Sequence, residues 1–417
     1  MVAGLGAYRQ ILADPRARAF SAAGLVARLP ISMTGLGIVL LISLTSGSFG
    51  RAGLVAAVGT LTGAVAAPLW GQAIDRVGQA RVLTITAMIN SASLALLVSS
   101  VQLGWPLAVT LLAALGVGAG FSSAGSAVRA RWSHRLRESP LLQTAFALEA
   151  VLDEVIFIVG PVLVTFLATA VHPALGVSVS AVIGLIGALL LAGQRSTQPP
   201  VVPRDRTRRP EQLPLGVLLP VSLASLALGG VFGGMEVVVV AFAGETGVLP
   251  FAGFFITAWS FGSLLAGVAT GAIAWRATAA RRFRIGAAAL AASLLPLPFL
   301  GSPLPVAGLL LISGMAIAPT LIASVAVIES AVPTTRLTEA LNWMTTGMAV
   351  GLAAGAAVIG HLIDLAGARG GFFAVVGAGV LLFASALTVR ARTAVSPEPP
   401  DSAAEPALPP PAESPRR

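Results

Sequence analysis

The sequence predicts an all-α membrane protein with twelve transmembrane helices, arranged as two six-helix pseudo-repeats. Of its 417 residues, 56% are hydrophobic and only 10% are charged, and the mean hydropathy is +0.90. A soluble domain carries roughly 25% charged residues. The charge-free runs 82–128 and 285–328 are each longer than the ~20 apolar residues of one spanning helix. Each contains a Gly–Pro turn signal, so each is divided into two helices.

Twelve hydrophobic spans follow one another along the chain. They cover about residues 19–44, 52–74, 80–102, 105–128, 142–168, 173–193, 214–242, 251–275, 284–301, 304–328, 338–362 and 370–390. The first span follows a polar, basic stretch without a small-residue cleavage site, so we expect a retained helix rather than a signal peptide.

The regions outside the spans complete the expected organisation. Residues 1–18 form an N-terminal segment before the first bundle, 19–193. A Pro- and Arg-containing linker, 194–213, separates it from the second bundle, 214–392. Residues 393–417 are rich in Pro, Ala and Glu, a composition that cannot bury a core and indicates a disordered tail.

The arginines predict the orientation in the membrane. All 26 basic residues are Arg, and the net charge is +9. If both termini are cytoplasmic, every arginine except Arg28, Arg51 and Arg369 lies in the N-terminus, the cytoplasmic loops or the tail. Short cytoplasmic loops are expected to hold the positive charge. We therefore expect a multi-pass plasma-membrane protein with cytoplasmic ends, and no nucleic-acid binding.

Composition and spacing also argue against an enzyme. There is no cysteine, and His134, His172 and His361 are too dispersed to share a metal by spacing alone. No phosphate-binding glycine loop is present, so nothing supports ATP-driven transport. We expect no catalytic residue, metal or cofactor.

The two halves of the chain resemble each other weakly. Residues 142–164 open the fifth predicted helix, and residues 337–359 open the eleventh, 195 positions later. Residues 271–282 stand 200 positions after residues 71–82, with Trp275 where the first copy has Asp75. Two offsets that agree favour an internal repeat with both halves in the same orientation.

The loop between the second and third predicted helices, residues 71–81, reads G-Q-A-I-D-R-V-G-Q-A-R. It resembles the cytoplasmic loop signature of the major facilitator superfamily of secondary transporters, G-x-x-x-D-R-x-G-R-[KR]. The residues that match in register are Gly71, Asp75, Arg76 and Gly78. Gln79 and Ala80 replace the usual basic residues, with Arg81 as a partial substitute.

This resemblance implies a gating role for the loop in a transporter that works by alternating access. Asp75 would face the N-terminal end of helix eleven, near Thr338, when the protein is closed to the cytoplasm. A carboxylate there interacts favourably with the helix dipole. The alternative is a loop that only anchors the topology.

Within this family the sequence most resembles the bacterial drug/proton antiporters. Gly160–Pro161 resembles the centre of the antiporter signature on helix five, where proline permits a bend. The rest of that signature is absent. Helix four, predicted as 105–128, lacks the buried arginine of proton-coupled exporters, and Arg129 marks only its end. Arg28 is a candidate replacement.

Five ionisable residues lie inside predicted helices: Arg28, Glu149, Asp153, Glu154 and Glu236. Each costs ~2.5–3.5 kcal/mol at a helix centre on insertion scales, which makes each a functional candidate. Arg28 and Asp153 reach similar depth, and Glu149 and Asp153 share a helix face at i and i+4. We expect a buried cluster that carries a proton, with a structural ion pair as the alternative. Glu154 points elsewhere.

Glu236 follows four glycines in helix seven, which lines the cavity in the family that the sequence resembles. It is interpreted as a cavity carboxylate that binds a cation or proton, or as an interfacial group. The expected function is proton-coupled efflux of a small apolar or amphiphilic molecule by a monomer. An importer or uniporter of a neutral metabolite, and a non-transporting scaffold, remain open.

Overall fold

The computed structural model describes residues 2–200, 215–272, 277–332 and 336–389. The described chain is helical and contains no strand, which confirms the all-α membrane fold. The helices are α1 (Val2–Ala13), α2 (Pro15–Arg28), α3 (Pro30–Ser46), α4 (Phe49–Val77), α5 (Gln79–Gln102), α6 (Leu107–Ala119), α7 (Ala124–Arg135), α8 (Leu142–Phe166), α9 (Leu175–Gly193), α10 (Leu215–Glu245), α11 (Ala252–Ala272), α12 (Ala279–Leu294), α13 (Pro303–Gly314), α14 (Ile317–Ala331) and α15 (Leu337–Thr388).

Four short segments extend or join these helices. A π-helix, Leu167–Val171, continues α8. The 3₁₀ turns are Arg195–Thr197, Leu249–Phe251 and Leu297–Phe299. The tail after residue 389, Trp275 and most of the linker lie outside the described residues.

Within the described ranges, ten helices, some of them joined from two pieces, are long and apolar enough to cross a membrane. One of them, within α15, extends over 50 residues, far more than the ~20 that span a bilayer once. Another predicted span corresponds to α12, which has only 16 residues. The number of crossings, twelve, therefore stays a prediction.

The predicted loop between helices eleven and twelve is instead a single kink. Gly367 has φ 67° and ψ −173° inside α15, a backbone conformation that glycine adopts readily. The Glu245 carboxylate accepts a hydrogen bond from the Ala368 amide at 2.7 Å. The Ala368 amide loses its partner within the helix at the kink, and the Glu245 carboxylate replaces that partner. The chain therefore changes direction here without a separate loop.

The N-terminal segment contains α1 and the beginning of α2. The first predicted span is divided at Leu29, because Pro30 lacks an amide hydrogen and begins a new helix. Arg28 is the last residue of α2. The break between α2 and α3 thus lies directly beside Arg28, the one arginine among the five candidate residues.

The two sets of helices, before and after the linker, contact each other mainly through two helix pairs, with a smaller contact between α3 and α10. Helix α4 packs against α15, and α8 packs against α11. At Gly53 the approach is so close that a Cβ atom would lie 2.0 Å from the Ala356 carbonyl oxygen. Only a glycine fits, as is usual where membrane helices pack backbone to backbone.

Candidate functional site

Arg28 is buried between α2 and α8, with a side-chain exposure of 1%. Its Nε donates to the Gly24 carbonyl at 3.1 Å, which fixes the guanidinium along its own helix. Its two terminal nitrogens then bind two different carboxylates. The distance to Glu149 Oε2 is 2.5 Å, and the distance to Asp153 Oδ1 is 2.6 Å. The structure therefore brings together the three residues that depth and helical spacing single out in the sequence.

Glu149 is fully buried, and both of its oxygens have partners. Oε2 binds Arg28, while Oε1 accepts from Ser21 Oγ at 2.7 Å and from Trp132 Nε1 at 2.8 Å. The Trp132 ring packs edge-on against Phe20, with centroids 4.7 Å apart. A buried ion pair is tolerated when its geometry is good and further hydrogen bonds satisfy the remaining lone pairs, as they do at Glu149.

Asp153 connects this dry interior to the surface. Its side chain is 32% exposed, and Oδ2 binds Arg129 at 2.7 Å. Arg129 itself is 45% exposed. We call Ser21, Arg28, Arg129, Trp132, Glu149 and Asp153 the Arg28 cluster. Two guanidinium groups balance two carboxylates in it, and Asp153 is the member through which solvent can reach the pair.

Helix four is longer than predicted, and this corrects the interpretation of its arginines. The chain breaks after Ala119 and continues as α7, so Arg129 lies within a helix rather than at its end. A second arginine on α7, Arg131, is fully buried. The predicted absence of a buried arginine on helix four is therefore wrong. The prediction ended this helix at residue 128 because the charge-free run stops at Arg129.

Arg131 binds no carboxylate among the described residues. It donates to Gln79 Oε1 at 2.8 Å, to Thr197 Oγ1 at 2.8 Å and to the carbonyls of Leu191 and Gln194 at 3.0 and 3.1 Å. These contacts join α7 to the end of α9 and the start of α5. They also explain the substitution in the loop signature, because a basic residue at position 79 would face the Arg131 guanidinium.

Arg131 is the main residue that the sequence interpretation missed. The signal was present: Ala124, Ala127, Val128 and Trp132 are buried at helical spacing, and Arg131 lies on the same face. Its burial follows from that face, whereas its polar partners come from segments more than 50 residues away. Only the fold brings these together.

Glu154 and Glu236 lie apart from the Arg28 cluster. Glu154 is half-buried on another face of α8. Glu236 extends from α10 toward α3, where a Cβ atom on Gly35 would lie 2.9 Å from Glu236 Oε2. Neither carboxylate has a hydrogen bond or ion pair to any residue that the structure describes. Glu236 thus lies unpaired at the junction between the two sets of helices.

An aromatic pair lies one helical turn from Glu236. Phe232 on α10 contacts Trp259 on α11, with ring centroids 4.9 Å apart. Trp259 Nε1 is buried and has no hydrogen-bond partner in the described chain. A carboxylate, a π-face and an unpaired donor on neighbouring helices are suited to an amphiphilic molecule with a polar or cationic group.

The signature loop closes the end of α4. Asp75 and Arg76 are exposed, and neither forms a hydrogen bond with any described residue. Gly78 has φ 89° and connects α4 to α5. Arg81 lines a groove of about 950 Å³ between α5 and α9, together with Arg195. The expected contact of Asp75 with helix eleven, near Thr338, is therefore not seen among the described side chains and stays a prediction.

Gly160 and Pro161 lie where α8 meets other helices. A Cβ atom on Gly160 would lie 1.9 Å from Ser32 Oγ of α3, and the Pro161 carbonyl lies against Gly253 of α11. Pro161 is inside a continuous α8, and the π-helical segment begins six residues later, at Leu167. The structure gives these residues a packing role, and the predicted bend stays a prediction.

No group of three or more His, Cys, Asp and Glu side chains able to hold a metal occurs among the described residues.

The sequence profile of the Major Facilitator Superfamily matches residues 20–313. The chain therefore belongs to this superfamily of transporters, and it is not an enzyme. No curated protein matches the sequence.

Solved structures of transporters have the same fold. The nucleoside transporter NupG aligns with a TM-score of 0.73 at 12% identity, over 91% of this chain and 100% of its own. A bacterial homologue of the iron transporter ferroportin, in an inward-facing state, gives 0.67 at 13%, over 89% and 99%. A bacterial homologue of the human lysosomal transporter Spinster, inward-facing and occupied, gives 0.65 at 14%, over 89% and 95%. At such identities the likeness concerns the fold.

Proposed function

We propose that the protein exports a small apolar or amphiphilic molecule in exchange for protons, by alternating access between its two halves. The observation that carries this proposal is the Arg28 cluster. One buried guanidinium holds two carboxylates, and only one of them, Asp153, is partly exposed to solvent. Such intramembrane ionisable groups are rare and typically mark substrate or proton pathways.

The coupling step begins at Asp153. A proton from water adds to its carboxylate, which removes the negative charge that holds Arg28 and Arg129. Arg28 then remains paired with Glu149 alone, and Arg129 is released toward solvent. Loss of the proton restores both ion pairs. The cluster therefore has two charge states that favour different positions of the Arg28 guanidinium.

A change in the position of Arg28 can alter the proposed substrate site through α3. Arg28 ends α2, and the Leu29–Pro30 break permits α3 to change its angle relative to α2. Helix α3 carries Gly35, which faces the Glu236 carboxylate on the opposite half. We propose that proton binding at Asp153 changes the packing of α3 against α10 and thereby the space beside Glu236.

The substrate site is proposed between α3, α10 and α11. Its polar groups are few, which favours apolar or amphiphilic molecules over sugars. The unpaired Glu236 carboxylate and the Phe232–Trp259 pair favour a molecule with a positive or hydrogen-bonding group. Glu154, half-buried on another face of α8, is retained as a second candidate for proton exchange.

The membrane orientation is also part of the proposal. With the termini cytoplasmic, Asp75 and the N-terminal end of α15 lie inside. At that end Asp75 is exposed and forms no hydrogen bond with any residue that the structure describes. We therefore interpret the conformation as inward-facing, in the plasma membrane, and the functional unit as a monomer.

Inside-out membrane vesicles test the function even while the substrate is unidentified. Vesicles acidified by respiration are treated with a panel of lipophilic cations, neutral amphiphiles and nucleosides, and luminal pH is followed with a dye. Exchange predicts that at least one compound collapses the proton gradient in vesicles with the protein and not in control vesicles. Uptake of a compound that is independent of the gradient would identify a uniporter instead.

A further inference from the structure

The Asp364 carboxylate, near the end of the first part of α15, binds the beginning of α4. Oδ1 accepts from the Phe49 amide at 2.7 Å. Oδ2 accepts from the Gly50 amide at 2.9 Å and from Ser48 Oγ at 2.8 Å. The α4 N-terminus, whose first amides have no partner within the helix, is thus satisfied by a side chain of the other half.

The helices approach closely enough for this contact because their backbones touch. A Cβ atom on Gly360 would lie 2.4 Å from the Phe49 carbonyl oxygen. Gly53 makes the corresponding approach to Ala356 one turn further along α4. The carboxylate can reach the amides only in this arrangement, so separation of the halves at this end breaks all three hydrogen bonds.

Asp75 lies at the opposite end of the α4–α15 pair, in a position that corresponds to that of Asp364. It lies two residues before the end of α4, and α15 begins at Leu337. Because α4 and the first part of α15 run in opposite directions, each helix has an acid near its C-terminal end, where the other helix begins. Asp364 occupies its partner's N-terminus, while Asp75 is exposed and forms no hydrogen bond with any described residue.

We propose that Asp364 is a positioning residue of the transport cycle that holds the halves together at its end while the Asp75 end is open. Transport exchanges the two contacts: release of Asp364 from α4 accompanies closure at Asp75. This inference rests on the alternating access proposed above, but on neither the direction of transport nor the coupled ion.

The expected effect is moderate, because the amides of the α4 N-terminus bind water once the halves separate. Loss of one helix cap changes an equilibrium by about five-fold. Removal of Asp364 should therefore shift the ratio of conformers by about that factor toward opening at the Asp364 end.

Glu245 provides a matched control. Its carboxylate also accepts from a helix-initiating amide, that of Ala368, at 2.7 Å. Both residues of this contact, however, lie in the second half of the chain. Its removal should weaken a local contact without changing the distance between the halves.

Spin-label distances measure the two ends separately, and the chain has no cysteine to remove. One pair is Ser46→Cys with Gly244→Cys, at the Asp364 end; a side chain on Gly244 meets open space. The other pair is Gln72→Cys with Thr346→Cys, two exposed positions at the Asp75 end. Both are recorded for the full chain in lipid nanodiscs.

For Asp364→Ala we expect a larger population of long distances for the first pair and of short distances for the second, relative to the unmutated chain and to Glu245→Ala. Equal distributions in the Asp364 and Glu245 variants would overturn the role of Asp364. The unmutated chain is also measured with each compound of the vesicle panel. If each spin-label pair then shows a single, unchanged distance, both the alternating access and this inference fail.

A milder variant keeps the test available if Asp364→Ala does not fold. Asp364→Asn retains one acceptor oxygen and replaces the other with an amide group that cannot accept from Gly50 or Ser48. Ser48→Ala removes the hydroxyl that donates to Asp364, and with it the acceptor of the Arg51 amide at the start of α4. We expect both variants to shift the distance distributions in the same direction as Asp364→Ala, with a larger shift for Asp364→Asn than for Ser48→Ala. Unchanged distributions in both variants would contradict the proposal.

Discussion

The two halves of the protein use corresponding positions for different purposes. At the 195-residue offset, Glu149 and Asp153 correspond to Met344 and Met348. Ser324, 195 positions after Arg129, lies 3.7 Å from the Met344 sulfur, whereas Arg129 in the first half forms an ion pair with Asp153. The second half therefore packs the same helices without charges. The fold itself does not require the Arg28 cluster, and this favours a chemical role.

The largest expected effect comes from Arg28→Ala. Removal of one partner from a buried ion pair costs about 3–5 kcal/mol, because Glu149 stays buried without its counter-charge. We expect a strongly lowered melting temperature in detergent and loss of transport. Met344→Ala, at the corresponding site of the second half, should retain proton exchange, although it also loses packing.

A variant that copies the second half separates stability from function. Glu149→Met, Asp153→Met and Arg28→Leu together remove the charges and keep apolar volume, an exchange that is often neutral or stabilising in buried sites. Because Ser21 Oγ and Trp132 Nε1 lose their acceptor on Glu149, we expect a melting temperature somewhat below that of the unmutated protein but above that of Arg28→Ala, and no proton exchange in vesicles. Exchange at the original rate would exclude the cluster from coupling.

Asp153→Asn should affect coupling far more than stability. Its pairs with Arg28 and Arg129 are partly exposed, and exposed pairs contribute only about 0–1 kcal/mol. Without a carboxylate, position 153 cannot take up a proton. We expect a nearly unchanged melting temperature and unchanged compound binding, but no proton exchange. If compound binding is lost together with proton exchange, Asp153 contacts the substrate instead.

Glu236→Gln should leave the protein as stable or more stable. Its carboxylate is unpaired among the described residues, so neutralisation removes a desolvated charge rather than a contact. Loss of transport confined to cationic compounds, with neutral compounds still transported, is the expected result. Equal loss for both classes would place Glu236 in coupling rather than in recognition.

The smallest effect on stability is expected for Asp75→Asn, because the carboxylate forms no hydrogen bond with described residues in this conformation. Transport should still fall, since the closed state at that end loses its contact with helix eleven. The second copy of the loop has Trp275 instead of the acid, and we expect any change there to matter far less. Comparable losses at the two positions would remove the gating role.

Much of the fold was predictable because hydrophobic length and charge placement are local properties. The Arg28 cluster was also partly accessible, since the spacing of Glu149 and Asp153 places them on one helix face. Trp132 could not be foreseen as a partner, because it depends on the continuation of helix four beyond residue 128, where the prediction ended. The Asp364 contact joins residues more than 300 positions apart, and no local pattern indicates it.

Proton release on compound binding tests the central claim most directly. Purified protein in weakly buffered detergent solution is mixed with a compound identified in the vesicle screen, and a pH indicator reports the protons released. We expect release from the unmutated protein and from Met344→Ala, but none from Asp153→Asn, although the compound still binds. Undiminished release from Asp153→Asn would contradict proton exchange at the Arg28 cluster.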